Sequence, residues 1–473
     1  MENKNQGAIR DARELGIPKM LILGLQHMFA MFGATILVPI LVMGYFADAT
    51  GAAPTRGVVV STTLFCAGVG TLIFHLCSKF KVPAFLGSSF AFLGGFSTVA
   101  NLSNGMYAGM SANDKCAYAC GGVVVAGLLY LVMALIIKLV GVKRVMKFLP
   151  PVVTGPIIIC IGLGLAGSAI SNASTNWFLA IVALAVIIIF NIWGKGMFKI
   201  IPILMGVVIS YAVALIMNAC GMTNPDGSAI ITFTEVTTAA WVGLPAFQLP
   251  KFDLTAILVM APIAIASMME HVGDMSAISA TVGENFIEDP GLHRTLMGDG
   301  LATAFAGLIG GPSNTTYGEN TGVLELSKVY DPRVIRLAAI YAVVLSFIPK
   351  FSGIISTMPS SIIGGISFML YGMISAIGVR NVVENKVDLT KSRNLIIAGV
   401  IFVCGLGFSD GITFTIGGAS ITLTALAIAA IAGILLNAIL PGNDYEFGKN
   451  PEGDQSRGVY VAAKDGEENT DAE

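Results

Sequence analysis

Long apolar runs alternate along the chain with short stretches of charge, Gly, Pro and Asn. The runs fall at about 20–44, 57–77, 83–100, 117–140, 150–170, 176–194, 200–220, 253–274, 294–311, 314–327, 332–350, 357–379, 394–409 and 419–440. A hydrocarbon core about 30 Å thick takes about 20 apolar residues per helix. The pattern therefore predicts an all-α polytopic membrane protein with fourteen transmembrane segments, of which the ninth to eleventh are the shortest and most interrupted. With both ends on the cytoplasmic side, the inside loops collect 23 of the 27 Lys and Arg residues and the outside keeps Arg56, Lys115, Lys251 and Lys350. That asymmetry follows the positive-inside rule, and an odd number of spans spoils it.

Two halves of seven spans run antiparallel, and the sequence carries traces of an inverted repeat. The fifth span opens Leu149-Pro150-Pro151-Val152-Val153-Thr154-Gly155 and the twelfth Met358-Pro359-Ser360-Ser361-Ile362-Ile363-Gly364, each with proline and glycine five apart. The third and tenth spans begin with Pro/Gly/Ser/Thr stretches, Val82-Pro83-Ala84-Phe85-Leu86-Gly87-Ser88-Ser89-Phe90 and Gly311-Pro312-Ser313-Asn314-Thr315-Thr316-Tyr317-Gly318-Glu319. Both are too polar and too β-prone for lipid-facing helix, so short extended breaks are expected there. Non-helical backbone at membrane depth survives only inside protein or along a wet cavity. Paired breaks in corresponding spans point to a transporter's binding site, with helix N-termini ready to donate to ligand oxygens.

Composition agrees. The chain has 473 residues, 55% hydrophobic and only 12% charged, about half the charge of a soluble domain, with a mean hydropathy of +0.80. A disordered chain, a disulfide scaffold and a nucleic-acid binder are excluded, and a large soluble enzyme is disfavoured. Residues 1–19 are polar and read as a cytoplasmic N-terminus without a signal-peptide core, so the first span is retained. Residues 441–473 hold nine acids against three bases and read as a disordered acidic cytoplasmic tail. Cys116 and Cys120 share one helical face, where two small packing residues are a plainer reading than a metal pair.

Ionisable groups inside spans are costly and mark function. Glu270 and Asp274 stand four apart in the eighth span, on one helical face. Two such carboxylates share a titration, which suits a proton-coupled carrier; a hydrated Asp274 at the cytoplasmic mouth is the blander alternative. Glu319 follows the tenth-span break and is expected at the same cavity. Asp299 is either a proton relay or a helix cap. Gln26 and His27 form a candidate binding pair, His27 better placed as a supporting hydrogen-bond partner. The string Gly162-Leu163-Gly164-Leu165-Ala166-Gly167 lies inside an apolar helix and is packing glycine, not a dinucleotide loop. No Walker A lysine, zinc pair or nucleophile elbow occurs.

Gln26-His27-x-x-Ala30-Met31-Phe32-Gly33-Ala34-Thr35, Gly87-Ser88-Ser89-Phe90, Glu270-His271-Val272-Gly273 and Asn314-Thr315-Thr316-Tyr317-Gly318-Glu319-Asn320-x-Gly322 occur in this order. Together they resemble the nucleobase–ascorbate transporter family, on its bacterial uracil permease side. The resemblance implies two inverted seven-span repeats. Spans 1–4 (residues 20–140) and 8–11 (253–350) would form a core domain. Spans 5–7 (141–220) and 12–14 (351–440) would form a gate domain, with 221–252 as an extracytoplasmic loop. It implies Glu270 and Glu319 at the pyrimidine ring nitrogens and the amides of Phe90 and Gly318 at the ring carbonyls. Ala34, Ser89, Tyr317 and Tyr371 would line the pocket. Glu270, Asp274 and Asp299 would carry the proton, with Gln26, His27 and Asn320 in support.

The function implied is proton-coupled import of a nucleobase, uracil first, across the bacterial cytoplasmic membrane. A xanthine or urate permease is the alternative, since Asp274 resembles the purine branch whereas Glu319 does not; a channel on a similar scaffold ranks lower. The partners are then the nucleobase, protons and membrane lipid, with a homodimer compatible. Neither a metal, an organic cofactor, a nucleic acid nor an enzymatic reaction is expected.

Overall fold

The computed structural model describes residues 8–47, 53–103, 105–408, 411–416, 419–443 and 445. Of the acidic tail at 441–473, residues 444 and 446–473 lie outside these. Helices dominate: α1 (Ile17–Phe46), α2 (Val60–Cys77), α3 (Ala112–Val140), α4 (Ile263–Val282), α5 (Leu292–Leu308), α6 (Gly318–Ser327), α7 (Pro332–Ser346) and α8 (Ser360–Glu384) carry or support the site. Among the described residues seven helices are long and apolar enough to cross a membrane. An eighth span results if Pro332–Ser346 and Pro349–Ser356, bent by 85°, count as one. Shorter apolar helices at Phe90–Ala100, Trp177–Trp193, Ser392–Gly407 and Ala425–Ile439 add to these.

Several boundaries differ from the apolar runs. The run 332–350 is not one rod: Pro349 opens a new helix, since its ring removes a backbone donor and resists the turn before it. The run 419–440 is part strand. Ala419–Leu423 (β4) pairs antiparallel with Ile412–Ile416 (β3), and Thr424 then caps the following helix by accepting from the amide of Ala427 at 3.4 Å. Alternating Ser, Ile, Thr and Leu suit a pleated strand better than a helix.

Close packing around α5 fixes the acid-bearing elements. A Cβ on Gly127 of α3 would sit 2.5 Å from the Ala304 amide nitrogen, and one on Gly300 would sit 2.8 Å from the Gly127 carbonyl oxygen. Only paired glycines let two spans approach so closely, and in lipid such contact replaces the hydrophobic drive that holds soluble helices together. On its other side α5 meets α2, where a Cβ on Gly298 would sit 3.0 Å from Phe74 Cα.

Candidate functional site

Two short strands meet in the interior. Leu86–Ser88 (β1) and Asn314–Thr316 (β2) run antiparallel, with Leu86 opposite Thr316, Gly87 opposite Thr315 and Ser88 opposite Asn314. The Ser89 amide donates to the Ser313 carbonyl at 2.8 Å and the Tyr317 amide to the Phe85 carbonyl at 3.0 Å. Their outer edges are satisfied by side chains. The Leu86 amide donates to Thr71 Oγ1 at 2.9 Å, Thr303 Oγ1 donates to the Asn314 carbonyl at 3.0 Å, and Asn314 Nδ2 reaches the carbonyls of Cys66 and Ala302. An unpaired amide in hydrocarbon costs several kcal/mol, roughly, so these partners are what permit strand here. A 3₁₀ turn begins at Phe90 after β1 and α6 begins at Gly318 after β2. Each break thus releases a helix N-terminus whose first amides have no intrahelical acceptor.

The acids gather around β2. Thr316 Oγ1 donates to Asp274 Oδ2 at 2.8 Å, and Gly318 is so close that a Cβ there would lie 3.5 Å from Asp274 Oδ1. Glu270, one turn earlier on α4, is half-buried, and its Oε2 has no hydrogen-bond partner among the described residues. Glu319 stands half-buried in the first turn of α6. Asp274, Glu319 and Asp299 are all near enough to act on Glu270 electrostatically. Asp299 is the deepest: its Oδ2 lies 3.0 Å from His271 Nδ1 with both side chains fully buried, and Phe74 packs edge-on against that imidazole.

Aromatic and polar groups close the surroundings. Tyr317 donates through its hydroxyl to the Ser88 carbonyl at 2.9 Å, and Ser88 Oγ donates to the Thr35 carbonyl at 3.1 Å. Ser89 Oγ lies 3.4 Å from Ser267 Oγ on α4. Phe90 and Tyr371, the latter from α8, meet edge-to-face with centroids 5.9 Å apart, both buried. Asn320 Nδ2 donates to the His27 carbonyl at 3.0 Å and lies 3.3 Å from His27 Nδ1. Ala34 is fully buried and Gln26 half-buried on the same helix as His27. The sequence reading missed Thr316 and Thr35. Thr316 was nonetheless in view, as the last polar residue of the tenth-span break.

Paired strands buried among helices long and apolar enough to cross a membrane, with carboxylates gathered at their ends, fit a multi-pass membrane transporter. Residues 18–414 match a model described as a permease family, and the chain belongs to that family, the nucleobase–ascorbate transporters. It is similar to the uracil permease of Bacillus caldolyticus, 40% identical over 455 residues, which cover 93% of this chain and 96% of that one. It is also similar to the uracil permease of Bacillus subtilis, 41% identical over 436 residues, covering 88% and 91%. Among solved structures it shares the fold of the transmembrane domain of a cyanobacterium bicarbonate transporter, with a TM-score of 0.56 at 17% identity, covering 85% of this chain and 98% of that one.

Proposed function

We propose that this protein imports uracil with protons across the bacterial cytoplasmic membrane. The observation that carries the reading is Glu270 Oε2, without a hydrogen-bond partner among the described residues, with Glu319 near enough to act on it where two helix N-termini emerge from the strand pair. Uracil presents two N–H donors and two carbonyl acceptors in one plane. Glu270 and Glu319 accept from the ring nitrogens, and the amides of Phe90 and Gly318 donate to the ring carbonyls. Phe90, Tyr371, Tyr317, Ser89 and Ala34 surround the ring, with aromatic cover for its faces. The names of the relatives at about 40% identity support uracil over a purine. So does Glu319, because a carboxylate only accepts.

In this reading Glu270, with Asp274, takes the coupling proton as uracil binds and releases it inside. Asp299, paired with His271, is its reserve. His27 and Asn320, with Gln26 nearby, hold the start of α6. The chain crosses fourteen times as two inverted repeats, both termini cytoplasmic, and the core domain moves against the gate domain; no metal or organic cofactor is called for. Each coupled charge gains about 2.3 kcal/mol per 100 mV and each pH unit adds about 1.4 kcal/mol, so ordinary gradients suffice for accumulation.

Radiolabelled uptake into proteoliposomes with an acidic exterior tests this. Uracil should accumulate, and excess unlabelled xanthine should leave the accumulation unchanged. Xanthine accumulation without uracil accumulation would overturn the assignment in favour of a purine permease.

A further inference from the structure

The residues before α1 are built into the far ends of both acid-bearing helices. Ile9 bridges Val329 in parallel: its amide donates to the Lys328 carbonyl at 2.9 Å, and the Tyr330 amide donates to the Ile9 carbonyl at 2.9 Å. The Ala12 amide donates to Asp331 Oδ2 at 2.8 Å, and Arg333 Nη1 donates to Asp11 Oδ1 at 2.8 Å and Asp331 Oδ2 at 2.9 Å. Ala12, Val329 and Val334 form an apolar cluster of their own, covered by Ile9, Leu15, Met20 and Leu23. Arg10 reaches the other way. Its Nη2 donates to the carbonyl of Val282, the last residue of α4, at 3.2 Å, and its guanidinium pairs with Glu284.

We propose that Ile9–Leu15 is a strap that sets the spacing of α4 and α6, and through them of Glu270 and Glu319, with Arg10 as its positioning residue. The proposal deepens, and rests on, the reading of those two glutamates as the ligand cradle. Glu270 lies twelve residues, about 18 Å, before the strapped end of α4, and Glu319 nine residues, about 14 Å, before Lys328. Over such lengths a helix is a stiff rod. The chain that forms the strap continues into α1, where the His27 carbonyl holds Asn320. One continuous stretch therefore grips α6 at both ends. Its link to α4 is the slender one: among the described residues Arg10 supplies the polar contacts to that helix end. An exposed ion pair contributes little stability by itself, so Arg10 is a place where spacing is altered without unfolding the protein.

The test uses the full-length chain with Arg10→Glu alone and with the exchanged pair Arg10→Glu/Glu284→Arg. Hydrogen exchange is followed at residues 318–322, in the first turn of α6, which Arg10 does not touch. Arg10→Glu should speed exchange there about threefold to tenfold and raise the KM for uracil by a similar factor, with maximal rate and membrane abundance unchanged. The exchanged pair, which remakes the ion pair but not the donation to the Val282 carbonyl, should restore both in part. Unchanged exchange at 318–322, or a loss confined to abundance, would overturn the strap. Should the unaltered protein accumulate no uracil, the functional reading falls, while the exchange measurement still decides the strap.

Discussion

Tyr317 lies directly against Gly87: a Cβ on Gly87 would sit 2.3 Å from Tyr317 Cζ. The ring cannot swing clear cheaply, because its hydroxyl is held by the Ser88 carbonyl at 2.9 Å. The two breaks are interlocked, one supplying the ring and the other the gap that receives it. Gly87→Ala is therefore expected to displace Tyr317, and with it the start of α6, and to lower uracil uptake at least about tenfold, an effect of the size overpacking produces. Uptake normalised to the amount of protein in the membrane is the measurement. Near-normal uptake would show that the interlock is dispensable.

Asp274 is oriented by Thr316 across 2.8 Å. An ordinary intramolecular hydrogen bond contributes about 0.5–1.5 kcal/mol. Thr316→Val should accordingly weaken uracil binding about twofold to tenfold, while Thr316→Ser, which keeps the donor, should retain most of it. Equilibrium binding to the two purified variants separates a lost hydrogen bond from a lost methyl group.

His271 and Asp299 are a fully buried pair behind the glutamates. If Asp299 is a proton reserve and not a ligand contact, Asp299→Asn should abolish accumulation driven by a pH gradient. Exchange of labelled for unlabelled uracil at equal pH should continue. Loss of both activities together would assign the pair a purely structural role.

The strap, cytoplasmic in this reading, should keep its hold as pH falls from 7 to 5. Arg13, whose side chain and amide both donate to Asp11, holds that carboxyl well below the usual carboxylate range. A lowered folded-state value means that the contribution is present above the ordinary carboxylate pKa and is lost only as pH falls through the lowered one. Hydrogen exchange at the Arg13 amide, which donates to Asp11 Oδ1 at 3.1 Å, should therefore keep its protection from pH 7 to pH 5 once corrected for the intrinsic pH dependence. A fall across that window would contradict the assignment.

Much of this was legible in the sequence because lipid leaves few choices. Apolar runs of helical length announced α1 to α4, and the polar Pro/Gly stretches at 82–90 and 311–319 stood out because a lipid-facing helix has no use for them. Glu270 and Asp274 drew notice by their cost in an apolar span. What the residues did not reveal was pairing. The register of Gly87 opposite Thr315 depends on how α2 and α5 present Thr71 and Thr303 to the strand edges, which no local pattern encodes. The strap was equally silent: Arg10 and Asp11 read as an ordinary solvated lead-in, since their partners Glu284 and Arg333 lie more than 270 residues away. Strand β4 was absorbed into the apolar run 419–440, and β3 fell between runs, because hydropathy alone does not separate a buried strand from a helix.

The most direct test of the whole account is uracil-dependent proton movement. Proteoliposomes carrying the protein, loaded with a pH-sensitive dye, are given uracil outside at equal pH and with an inside-negative potential. The account predicts that uracil acidifies the lumen with the unaltered protein and leaves it unchanged with Glu270→Gln. Uracil entry without acidification, or undiminished acidification in Glu270→Gln, would contradict it.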